Sequence, residues 1–156
     1  GFWILVAQNE ALSIFFALEN GHRVAFTRFV YVLSYALSGE IDFRILILIG
    51  NIPLALLLFL FLRTLKVSRS NLLYFIPVSI LLFQLQFWKN MTWAASALQH
   101  QYILLFTGLT FYFLSKNSNR GFYCGFFFAI VSVFTQGSGL GTIFLGWIIL
   151  LIGKRY

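Results

Sequence analysis

The sequence predicts an all-α polytopic membrane protein: about five transmembrane helices over residues 45–156, preceded by an external segment, residues 1–44, that carries an interfacial amphipathic helix. Three observations lead there. The chain of 156 residues is 60% hydrophobic, 20% aromatic and only 10% charged, with mean hydropathy +0.89, which is too apolar for a water-soluble domain of this size. Its Leu-, Ile- and Phe-rich runs are longer and more alike than soluble core helices require. Its cations recur in short stretches between those runs, where they set orientation in a membrane. The formal charge of +7 is thereby accounted for, and we expect no nucleic-acid partner. A lone cysteine, Cys124, excludes an internal disulfide and a cysteine-based metal site.

Taken in order, the chain opens on Gly1-Phe-Trp-Ile-Leu-Val-Ala7, which reads as the tail of an earlier membrane helix, so the sequence is expected to be part of a longer protein. Between Arg23 and Ser38, Thr27, Tyr31, Ser34 and Ser38 fall on one helical stripe and Ala25, Phe29, Val32 and Ala36 on another, the pattern of an amphipathic helix lying in the interface. A short membrane hairpin is the alternative, opposed by the cost of Arg28 in hydrocarbon. Ile45–Leu62 is a first span, reaching about 27 Å at about 1.5 Å per residue, with Asn51 and Pro53 inside it. Leu72–Trp88, with Pro77, is the second; Trp93–Ser115, polar in its first third, is the third; Gly121–Thr135 and Leu140–Ile152 are the fourth and fifth. The last two are short for a core of roughly 30 Å, so the turn between them should dip below the membrane surface.

Alternating crossings put Arg63, Lys66, Arg69, Lys116, Arg120, Lys154 and Arg155 on one side, which the positive-inside rule makes cytoplasmic, giving a multi-pass protein of the cell (inner) membrane. All four carboxylates, Glu10, Glu19, Glu40 and Asp42, and both histidines, His22 and His100, then lie toward the external face.

Three polar groups on that face could carry chemistry. Gln8-Asn-Glu10 with Glu19-Asn-Gly-His-Arg23 supplies a base, a proton carrier and a guanidinium fork suited to phosphate. The same residues also read as a capped loop with a Glu19–Arg23 pair across one helical turn. Gln84, Gln86, Trp88, Lys89, Asn90 and Trp93, continuing to Ser96, Gln99, His100 and Gln101, are too polar to face lipid, and either line a hydrated cavity or bond one another between helices. Thr135-Gln-Gly-Ser-Gly-Leu-Gly141 lacks the lysine and spacing of a nucleotide-binding loop; its glycines permit either a tight turn or close approach of a ligand. No paired His and carboxylate spacing suggests zinc, and no cofactor is evident.

The order of Glu19-Asn-Gly-His-Arg23, Phe87-Trp-Lys-Asn-Met-Thr-Trp93 before Gln99-His-Gln101, and Phe134-Thr-Gln-Gly-Ser-Gly-Leu140 with Trp147 following resembles bacterial polytopic membrane proteins related to the GT-C glycosyltransferases. The resemblance runs from about residue 8 to 152. It implies a polyprenyl-phosphate-linked sugar as donor at an external-face site. It makes Glu10 the first-loop acid, where the family usually has Asp, with Glu19, His22 and Arg23 shaping the site near the lipid phosphate. On that reading Glu10 or Glu19 is the catalytic base. Arg23 and Lys89 face the departing phosphate, Gln99, His100 and Gln136 complete the substrate pocket, and a carboxylate and a phosphate could share a divalent cation. Two other functions fit the residues. One is a non-catalytic membrane subunit packed against partner helices or lipids in a larger complex; the other is a transporter with broken helices, for which no inverted repeat is visible.

Overall fold

The computed structural model describes residues 18–19, 22–64, 73, 75–84, 88–116 and 118–152, with side chains described from Val24 to Leu151. Among these residues the chain is helical apart from one two-residue antiparallel ladder. Strand β1 (Leu18–Glu19) pairs with β2 (His22–Arg23), Glu19 opposite His22. Then come α1 (Ala25–Ser38), α2 (Phe43–Thr64), α3 (Ile76–Leu82), α4 (Trp88–Thr92), α5 (Ala94–Leu114), α6 (Asn119–Thr135) and α7 (Gly139–Ile152).

Local chemistry explains most of the boundaries. Helix α1 ends at Gly39, whose φ of 75° is left-handed and whose N–H donates to the Tyr35 carbonyl at 2.8 Å; a residue without Cβ takes that position at no steric cost. Asp42 caps α2, its Oδ1 accepting the Arg44 N–H at 2.8 Å. Ser118 caps α6 by accepting the Gly121 N–H at 3.1 Å.

The bundle is organised by α5, which is buried on several faces, and α2 runs parallel to it. Gly50 lies against Ala97 and Leu98 near one end, and Leu57 and Leu60 lie against Gly108 near the other. A Cβ on Gly50 would stand 2.6 Å from the Ala97 Cβ, so the helices meet at backbone distance only because residue 50 has no side chain. Helix α6 runs antiparallel to α5, Phe128 stacking on both Phe106 and Phe113. Helix α7 comes back beside α5, with Thr107 and Thr142 hydroxyls 2.7 Å apart and Gly146 under Leu114.

Pro53, inside α2 and fully buried, has no N–H for the Ile49 carbonyl one turn earlier. The Tyr102 hydroxyl of α5 donates to that carbonyl at 3.2 Å. One turn-breaking residue and one phenol thus form a matched pair across the interface. Asn51 adds a second tie, its amide donating at 2.8 Å both to Ile47 in its own helix and to the Met91 carbonyl of α4.

Arg63, Lys116 and Arg120 gather at one end, where Arg63 and Lys116 converge on Tyr112, the Lys116 ammonium 4.3 Å from its ring centroid. The N-termini of α2, α5 and α7 occupy the other end. Large apolar side chains face outward on every long helix, among them Leu48 and Phe59 of α2, Phe126 and Phe127 of α6, and Phe144 and Trp147 of α7.

Two expectations are corrected. Leu72–Trp88 does not form one membrane-length helix: Pro77 stands at the start of α3 instead of inside a longer helix, and the seven-residue α3 ends at Phe83. Nor does α1 lie across the end of the bundle. Phe26 packs on Tyr102 and Phe106, while Val30 and Tyr31 pack on the cluster of Leu46, Ala94 and Leu98. Helix α1 therefore lies along α5, running toward its N-terminal end. Its sides are reversed relative to a soluble helix: Thr27 is buried, whereas Phe29, Val32 and Leu37 of the apolar side are exposed.

Among the described residues one helix, α2, is long and apolar enough to cross a membrane by itself, so five independently qualifying spans are not established. Helices α6 and α7 have 17 and 14 residues, and α5, with 21, carries Gln99-His100-Gln101 in its interior.

Two substitutions test this packing by thermal unfolding of the purified protein in detergent. Gly50→Val should destabilise by about 1–3 kcal/mol, since the methyls must displace α5. Tyr102→Phe should cost about 1–3 kcal/mol by orphaning the Ile49 carbonyl. Much of that loss should be recovered in Pro53→Ala/Tyr102→Phe, where the helix supplies its own N–H; equal, additive losses would refute the pairing.

Candidate functional site

Where α5 begins, the bundle opens into a cavity of about 410 Å³ between α2, α3, α4, α5 and the α6–α7 turn. Its polar lining is Asn90, His100, Gln101, Gln136 and Ser138, and its apolar wall includes Leu54, Leu82, Ile103 and Leu104. Leu104 lies ten residues beyond Ala94, so the cavity reaches about 15 Å into the bundle at about 1.5 Å per residue.

Each polar group arrives by an identifiable local device. Asn90 sits on the five-residue α4, held against α2 by the Asn51 bond to Met91, and accepts the Ser96 hydroxyl at 2.9 Å. His100 is one turn below Ser96, its Nδ1 3.2 Å from the Ser96 hydroxyl and 3.1 Å from the Ser96 carbonyl. Gln101 is 4% exposed, and its amide meets no hydrogen-bonding partner among the described residues. Gln136 and Ser138 come from the turn Thr135–Gly139. That turn is tight because a Cβ on Gly139 would collide with the Ser132 carbonyl. In this turn a glycine serves close packing, while Gln136 and Ser138 reach the cavity.

The expected site residues fall into separate places. His100 and Gln136 share the cavity. Lys89 is exposed one residue from Asn90, its ammonium 5.9 Å from the Trp88 ring centroid, and it is outside the lining. Gln99 is half-buried and turned to a different flank of α5 from the cavity. Glu10 lies outside the described residues, and Glu19, His22 and Arg23 are placed by their backbone in the β1–β2 ladder. That ladder leads into α1, which docks on Tyr102 and Phe106. Tyr102 is two residues from His100, about 200° around the helix at about 3.6 residues per turn, so α1 and the cavity occupy opposite flanks of α5. The structure brings the second and third polar stretches together and leaves the first on the far side.

Asn90, Ser96, Gln101 and Ser138 join the site, and all stand in the polar stretches that the sequence marks out. Their signal is density of amides and hydroxyls where lipid would penalise them. Among the described residues no group of three or more His, Cys, Asp or Glu could hold a metal ion. Asp42 is engaged as the α2 cap.

No protein-family model, curated protein or solved structure matches the chain. The likeness to GT-C-related proteins therefore rests on the quoted motifs alone.

If the cavity is hydrated, as its polar lining implies, the Gln101 amide is satisfied by water or an occupant and not by the fold. Gln101→Leu should then leave the melting temperature in detergent unchanged or higher, whereas a loss of about 1–3 kcal/mol would show that the amide holds the bundle.

Proposed function

We propose that this chain is all or part of an integral protein of the inner membrane, with about five crossings and its basic loops cytoplasmic. Its external cavity takes up the headgroup of a polyprenyl-phosphate-linked sugar in a glycosyltransferase-like reaction. The observation that carries the reading is the cavity itself: a largely apolar recess into which Asn90, His100, Gln101, Gln136 and Ser138 are gathered, away from Arg63, Lys116 and Arg120. The substrate class comes from the resemblance of the motifs. Membrane residence is supported by α2 and by the outward-facing apolar side chains of the other long helices, and multiple crossings by the alternating directions of α5, α6 and α7.

In this reading Glu10 or Glu19 takes the proton of the acceptor hydroxyl and Arg23 and Lys89 face the departing lipid phosphate, which requires the β1–β2 ladder to reach the mouth of the cavity from the opposite flank of α5; a divalent cation, if bound, would be held by a carboxylate and would add charge stabilisation. The isoprenoid tail runs over apolar helix faces. A groove of about 210 Å³ between α5, α6 and α7, walled by Phe122, Phe126 and Trp147, offers one such path.

A second reading is favoured by one specific observation. Because α1 and the cavity lie on opposite flanks of α5, the ladder bearing Glu19 and Arg23 reaches the bundle away from His100. A non-catalytic membrane subunit, whose polar cavity is completed by a partner or a lipid, needs no such convergence.

Purification into nanodiscs followed by mass spectrometry of co-purified lipid, with transfer assayed from polyprenyl-phosphate-linked hexose, separates the two. Bound polyprenyl phosphate and transfer abolished by Glu10→Gln or Glu19→Gln are expected for the enzyme. Lipid or protein partners without transfer would support the subunit. Orientation is checked in a Cys124→Ser background: an impermeant maleimide on spheroplasts should label Thr92→Cys and spare Ser115→Cys, and the reverse pattern would overturn the topology.

A further inference from the structure

What the cavity recognises depends on which lining atoms donate and which accept. Amides offer both, but the surrounding protein fixes His100. Its Nδ1 lies 3.1 Å from the Ser96 carbonyl oxygen, which can only accept, so Nδ1 must carry a hydrogen. The Ser96 hydroxyl agrees: its single proton goes to Asn90 Oδ1 at 2.9 Å, leaving only lone pairs for the imidazole nitrogen 3.2 Å away. Reversing the Asn90 amide would let the hydroxyl turn its proton to Nδ1, but that nitrogen would then press its own lone pair on the Ser96 carbonyl. The neutral ring therefore has a bare Nε2, and this atom has no partner among the described residues. The next residue, Gln101, is itself buried and brings to the same recess an amide that has no hydrogen-bonding partner among the described residues. Among the described residues the lining contains no lysine, arginine or carboxylate.

We propose that the cavity binds an uncharged polyhydroxylated group, a glycosyl unit, with one hydroxyl donating to His100 Nε2 and the Gln101 amide bonding a neighbouring oxygen. The Ser96 backbone carbonyl holds the tautomer. Any phosphate attached to the sugar stays outside the recess, because nothing in the lining compensates its charge. This assignment rests on the reading that the chain handles a lipid-linked sugar.

The test uses the unaltered protein in phosphatidylcholine nanodiscs with nitrogen-15-labelled histidine, the His100 resonances assigned by their loss in His100→Gln. The ligand-free protein should show His100 protonated at Nδ1 and bare at Nε2. Polyprenyl-phosphate-linked hexose should shift the Nε2 resonance and bind about tenfold more tightly than the same polyprenyl phosphate without sugar, the worth of about one good hydrogen bond. His100→Gln should lower that preference while leaving affinity for the bare lipid within about twofold, and Ser96→Ala, which keeps the Ser96 carbonyl, should leave the tautomer unchanged. An Nε2-protonated ring in the wild-type protein overturns the proposal without recourse to any variant. Equal affinity for the two lipids, or tighter binding of the bare phosphate with a doubly protonated ring, also overturns it and leaves the lipid-handling reading standing. Binding of neither lipid removes that reading and the assignment together.

Discussion

Everything else in the bundle is arranged around the close, parallel contact of α2 and α5. The contact is possible because Gly50 has no side chain where Ala97 approaches, and it is keyed in register by Tyr102 reaching the carbonyl that Pro53 leaves free. Hydrocarbon supplies no water to such a carbonyl, so the phenol is a condition of placing a proline there. Both members lie within two turns of the cavity, and the helix walls behind His100 and Gln101 inherit their position from this interface.

The recess gathers polar groups without gathering charge. Helix α5 carries Gln99, His100 and Gln101 in succession, and successive helical residues point about 100° apart. One helix therefore serves two surfaces: His100 and Gln101 line the recess, while Tyr102, just beyond, receives Phe26 of α1. The α6–α7 turn closes the recess, and its depth follows from the short helices on either side of it.

Most helix positions were legible in the residues. Apolar runs and polar gaps mark α2, α5, α6 and α7 to within about two residues, because in a chain this apolar the interruptions are few. The expected span at Leu72–Trp88 was misleading because apolarity alone does not separate a long helix from shorter pieces, and Pro77 serves as a helix start there. Helix α1 was legible as amphipathic but not in its placement. Periodicity shows that two faces exist and is silent on which faces protein; here the hydroxyl-bearing face turns inward, Thr27 being buried. The meeting of Asn90, His100, Gln101, Gln136 and Ser138 was foreshadowed by the density of polar residues in their two stretches of the sequence. The separation of that group from the His22–Arg23 ladder depends on helix rotation, which no spacing in the sequence encodes.

The Pro53–Tyr102 pair also bears on the order in which the protein is made. Tyr102 follows Pro53 by almost fifty residues, so the Ile49 carbonyl gains its partner only once α5 has been made. If segments enter the bilayer in chain order, α2 must wait with an open carbonyl about a third of the way along its length. It would shelter that group meanwhile against the translocation machinery or a chaperone, and only the arrival of α5 would release it to the lipid.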